Sequence, residues 1–132
     1  MHKKIFLLSL ACIFQNVHAE TCPTLAELKT DHFKQRGWQI LNINSGEILS
    51  EKEWKKIKPH VEQFAMARWI PDAPEGAGQC FYKEKSQSFE LEIYVVKNTF
   101  PPNALQGNWH TVSYNIMQCN SVLPNCSYKD YP

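Results

Sequence analysis

The sequence predicts an α+β domain: a mainly antiparallel sheet of about five strands, with an N-terminal helix and a second short helix packed on one face, stapled by disulfides. Three observations predict it. Phe89, Leu91, Ile93 and Val95 alternate with Glu90, Glu92 and Tyr94, the period-two signature of a strand with one buried face. Thr24 with Glu27, and Ser50 with Glu53, have the spacing of capping boxes, which satisfy free amides where helices start. Finally, Cys22, Cys80, Cys119 and Cys126 form an even set in a chain that opens like an exported one, the combination expected of a disulfide framework.

The export reading rests on residues 1–19. Lys3 and Lys4 supply a positive start, Ile5 to Phe14 an apolar run too short to span a bilayer, and Val17-His18-Ala19 a small-residue cleavage pattern. Cleavage is expected after Ala19, leaving a single domain of residues 20–132. A rival reading acylates Cys12 after Leu10-Ala11, but Ser9 and Leu10 stand where such sites want a leucine and a small residue. With 14 basic and 13 acidic residues, two of the lysines in the leader, the mature charge is close to neutral. That excludes the concentrated basic surface of a nucleic-acid binder and the polybasic anchor of a membrane-surface protein. No further segment is apolar enough to be an integral membrane span after the leader is removed.

After Cys22-Pro23, apolar positions Leu25, Leu28 and Phe33 predict a helix over 25–35, ended by Gly37. A strand over 37–43 follows, then the turn signal Asn44-Ser45-Gly46. Trp54, Ile57, Val61 and Phe64 keep helical spacing, but Pro59 removes a donor and clashes with the preceding turn, so a helix over 51–58 and a strand over 62–70 are expected. The glycines of 71–78 lack a phosphate-cradle pattern and read as a loop. Strands are expected over 79–85, 89–96 and 109–118, the last with Val112, Tyr114 and Ile116 on its buried face.

No constellation carries recognisable chemistry. A structural zinc site wants close pairs such as C-x-x-C, whereas the nearest cysteines here have six residues between them, and His32, His60 and His110 are scattered. Neither a metal nor a cofactor is expected. Cys80 with His110 would resemble a nucleophile and base, but oxidised thiols are not nucleophiles. No G-x-S-x-G elbow is present, and Glu90 with Glu92 fits the wet side of a sheet. No catalytic residue is assigned. Four cysteines allow three pairings. Cys22–Cys80 with Cys119–Cys126 is preferred, because the second pair closes a short loop that Pro124 helps to turn; the alternative joins Cys80 to Cys119 across neighbouring strands and Cys22 to Cys126. Trp38 and Trp54 are expected in the core. Trp109 alternates onto the face opposite Val112, Tyr114 and Ile116, where with Tyr94 it would form a half-exposed aromatic stripe, the expected partner-binding surface.

The Cys22-Pro23 start, the Cys80-Phe81-Tyr82 strand after a Gly-rich turn, and the closing pair Cys119 and Cys126 resemble a family of short exported bacterial proteins of unknown function. The resemblance implies a periplasmic or secreted domain and supplies no activity. The expected function is a non-enzymatic module that binds a protein partner in the envelope or outside the cell, in the manner of an inhibitor or immunity factor. Two alternatives stand beside it: a carbohydrate or peptidoglycan binder using exposed tryptophans, and a degradative enzyme with a site the motifs do not reveal.

Overall fold

A computed structural model describes residues 20–83, 93–103 and 107–129. The leader with Cys12, and the expected strand positions Phe89, Glu90, Leu91 and Glu92, lie outside the described residues. Strands β1 (Glu20–Thr21), β2 (Gln39–Asn42), β3 (Gln63–Trp69), β4 (Gly78–Lys83), β5 (Ile93–Lys97), β6 (Trp109–Ser113), β7 (Ile116–Cys119) and β8 (Ser127–Tyr128) form two sheets. Six of them make one antiparallel sheet in the order β2-β5-β4-β3-β7-β6, and β1 pairs with β8. The fold is therefore α+β as expected, with six strands in the main sheet rather than five.

The sixth strand comes from a turn that the alternation concealed. A single strand over 109–118 was expected, but Asn115 takes a left-handed φ of 63° and the register shifts between Thr111 and Ser113, folding the segment into the β6–β7 hairpin. Asparagine tolerates that conformation because its short side chain satisfies nearby backbone groups. Around the turn of this hairpin Val112 is 45% exposed and Tyr114 89% exposed instead of buried.

The expected N-terminal helix over 25–35 does not form. Its capping box is present, with Glu27 N and Thr24 N each donating at 3.1 Å to the other residue's side chain. Yet α1 covers only Leu25–Lys29. The Thr30 hydroxyl donates back to Ala26 O at 2.8 Å, and Asp31 adopts φ 63°, which no helix continues through. Asp31 is held there from a distance: its carboxylate accepts Trp54 Nε1 at 2.8 Å and Lys58 Nζ at 3.1 Å. Beyond it lies a 3₁₀ turn, His32–Lys34, that buries Phe33. Helix α2 (Glu51–Ile57) is capped by Ser50 and buries Trp54. Pro59 then sits in a 3₁₀ turn, Lys58–His60, where its missing N–H costs least.

One row of residues crosses the main sheet on its covered face: Ile40, Val95, Cys80, Ala67, Cys119 and Trp109, each opposite the next. All six are buried. Against this row pack Leu28, Phe33, Trp38, Trp54 and Tyr128. Fully burying a side chain such as Leu28 or Phe33 stabilises by roughly 1.5–3 kcal/mol, enough to hold elements as short as these in place. Two disulfides start from the row, Cys22–Cys80 with 58 residues of separation and Cys119–Cys126 with 7. This is the preferred pairing. Cys80 and Cys119 are not on neighbouring strands as the alternative required, because β3 runs between them.

Buried phenols bolt the layers together. Tyr82 donates to Pro23 O at 2.5 Å, and Tyr128 donates to Arg68 O at 2.8 Å. Burial pushes both hydroxyls above the usual tyrosine range, so they remain donors. Gly76, at φ 152°, lets the loop after β3 press on the end of β5. A Cβ there would lie 2.7 Å from the Lys97 carbonyl carbon, closer than atoms can approach.

Candidate functional site

The structure separates the two residues expected to form an aromatic stripe. Trp109 stands in the buried row, 8% exposed, with Nε1 donating to Ser127 O at 2.9 Å and its ring 5.1 Å from Tyr128. Tyr94 neighbours Val95 in β5 and points to the opposite face. The reversal has a simple cause: β6 joins the sheet through Cys119, whose disulfide faces the core, and Trp109 is its register partner. Tyr94 instead belongs to a ladder on the outer face. Its ring stacks on Phe81 at 5.4 Å and 14°, the Arg68 guanidinium lies 5.5 Å from the Phe81 centroid, and Arg68 Nε donates to Gln118 at 2.8 Å. Burial, then the charge of Glu75, raises the Tyr94 phenol above its ordinary value.

A groove of 590 Å³ lies where the sheet is incomplete. Strand β3 pairs with β4 from Gln63 to Trp69, with a register shift at Ala65 between Phe64 and Met66, but with β7 only from Ala67 to Trp69. On the β7 side, no strand among the described residues pairs with residues 63–66. Past Cys119 the chain leaves the sheet as the loop 120–125, which Cys126 returns to the half-cystine. Phe64 and Met66 line one wall and Val122 and Leu123 the other. Val122, 65% exposed, is held out by a cross-linked loop that also carries Asn125 N to Val122 O at 2.9 Å. The sequence marked 119–126 as a staple only; the signal missed was an apolar pair, Val122-Leu123, inside it.

A second concavity of 360 Å³ lies beside β2. Trp38, Ile40, Leu49 and Trp54 form its floor, and Lys34 and Glu51 stand at its mouth with 2.6 Å between Nζ and the carboxylate.

Charge concentrates at the start of the domain. The Glu20 carboxylate accepts from Arg36, from Lys97 Nζ at 2.8 Å and from Trp38 Nε1 at 3.4 Å, while Arg36 also donates to Glu27 at 2.7 Å. Burial works to raise both carboxyl groups, but hydrogen bonds from Lys97 and Arg36 at Glu20, and from Arg36 and Thr24 at Glu27, outweigh it and hold both below the usual value of 4.5. A folded state with lowered carboxyl pKa values binds fewer protons than the unfolded chain. The stability these groups confer is therefore complete above the unfolded value and is lost as pH falls through the folded ones. Glu20→Gln is expected to lower the melting temperature at about pH 7 and to flatten the decline between about pH 5 and pH 3, checked by thermal melts across that range.

Among the described residues no group of three or more His, Cys, Asp or Glu could hold a metal, and no helix is long and apolar enough to cross a membrane. Fold and cross-links together define a small, disulfide-stapled α+β domain. Compared with protein-family models, with curated proteins and with solved structures, the chain gives no match.

Proposed function

We propose that this is an exported, non-enzymatic module that binds a protein partner, in the manner of an inhibitor or immunity factor, and that the groove beside β3 receives an extended segment of that partner. The observation that carries the reading is the unfinished ladder. Peptide groups on an open strand edge recognise another strand by main-chain hydrogen bonds, and the flanking side-chain pockets select its residues. The cross-linked loop adds a pre-ordered apolar contact at Val122, which reduces the entropy lost on association. Export from the cell, with cleavage after Ala19, fits two cross-links that an oxidising compartment forms and keeps. The resemblance to short exported bacterial proteins, carried by Cys22-Pro23, Cys80-Phe81-Tyr82 and the closing pair Cys119 and Cys126, belongs to the same reading. A carbohydrate-binding reading needs exposed indole faces, whereas Trp38, Trp54 and Trp109 are core residues and Trp69 is partly buried against the core.

The test is site-specific photo-crosslinking in an envelope extract, with the crosslinker at Val122 in the groove or at Tyr114 on the hairpin tip. One protein is expected to couple at Val122 and not at Tyr114, and to be lost when Met66→Asp is added to a protein that still melts cooperatively. Equal coupling from both positions, or coupling indifferent to Met66→Asp, removes the groove from the reading.

A further inference from the structure

We infer that the segment received by the groove beside β3 carries two consecutive apolar residues with an acidic residue next to them. This rests on the reading that the groove takes an extended segment, and adds the sequence such a segment needs. The first support is the bulge at Ala65. In a regular strand Phe64 and Met66, two positions apart, would share a face. The extra residue separates them, so that Phe64 is the register partner of Tyr82 and Met66 that of Phe81. Tyr82 is a fully buried core residue whose ring meets that of Phe64 edge-on at 5.6 Å, whereas Phe81 belongs to the outer-face ladder with Tyr94. The open stretch of β3 thus offers an apolar group on each side of the sheet.

These walls keep surface for a partner to cover: Phe64, Met66 and Leu123 are half-buried and Val122 is 65% exposed. A strand laid along them alternates its side chains between the two faces. One residue meets Phe64 and Leu123, which pack against the core, and the next meets Met66 on the outer side. Strands covered on both faces are continuous apolar runs, and a segment of alternating apolar and polar residues satisfies only one side. Charge selects the flank. Of the described residues that line the groove Lys83 alone is charged, while Gln63, Asn120 and Ser121 are polar and neutral. Because Tyr82 faces the core, Lys83 beside it faces outward, and its register partner Gln63 lies at the far end of the open stretch. An acidic side chain arriving there meets an opposite charge and no like one in the lining. A rim charge of this kind chooses among partners more than it adds affinity.

Short random peptides displayed on phage and selected on the oxidised mature domain test it. The selected sequences are expected to share two adjacent apolar residues flanked by an aspartate or glutamate, and synthetic peptides made from them to couple to a photo-crosslinker at Val122. Lys83→Glu, shown by thermal melting to be folded, should bind the same peptides about tenfold more weakly, and exchanging the peptide's acid for lysine should restore the loss. Peptides that couple at Val122 but alternate apolar with polar positions, or show no acidic preference, overturn this inference while leaving the groove a strand-binding site. So does binding indifferent to the charge at Lys83. A selection that gives no peptide coupling at Val122 overturns both this inference and the groove reading beneath it.

Discussion

Replacing Cys22 and Cys80 together by alanine is expected to lower stability by about 4 kcal/mol, and the melting temperature by about 15 °C or more. The bond closes a loop with 58 residues of separation, and the chain entropy returned to the unfolded state grows with loop length. Both half-cystines are fully buried, so truncation also removes sulfur from a packed core. The matched double replacement of Cys119 and Cys126, with a separation of 7, is expected to cost about 2.5 kcal/mol on the same entropic scale. Thermal melts of the two double variants, each free of an unpaired thiol from the broken bond, provide the comparison. A larger fall for the short loop would mean that native packing, not loop closure, governs these cross-links. Since small domains hold only about 5–15 kcal/mol in total, the Cys22–Cys80 bond separates a robust protein from a marginal one.

Trp109→Ala is expected to cost about 3–5 kcal/mol, the range for deleting a large buried aromatic. Its ring fills the end of the buried row and packs on Tyr128, which carries the hydroxyl bonded to Arg68 O, so the loss reaches into β3. Tyr114→Ala, at a position 89% exposed, is expected to stay within about 0.5 kcal/mol of wild type. Urea denaturation of the pair decides which way β6 faces. Similar costs for both substitutions would mean that Trp109 is surface and that the buried row ends at Cys119.

What could be read beforehand was local. The caps at Thr24 and Ser50, the breaker at Pro59 and the alternation that buries Ile93 and Val95 each depend on residues within a turn or two, and each appears in the structure. What could not be read was non-local. Alpha-helical spacing ran through Phe33, but Asp31 leaves the helix because Trp54 and Lys58 bind it from more than twenty positions away. Alternation assigned Trp109 and Tyr94 to a common stripe because it assumed which strands were neighbours. Strand order, not periodicity, determines whether two side chains share a face. The groove was illegible for the same reason: an unpaired stretch of β3 exists only once β7 is known to stop at Cys119.

The placement of β3 between β4 and β7 also guards against cross-link errors. Cys80 and Cys119 face the same side two strand spacings apart, about 9.5 Å, while a disulfide needs its Cα atoms within about 7 Å. Ala67, the small residue on the strand between them, leaves both sulfurs room to reach their own partners, Cys22 and Cys126. A scrambled Cys80–Cys119 isomer is thus a chain whose middle strand has been expelled. It cannot pass as the native fold with one bond redrawn, and sheet content alone distinguishes it from correctly oxidised material.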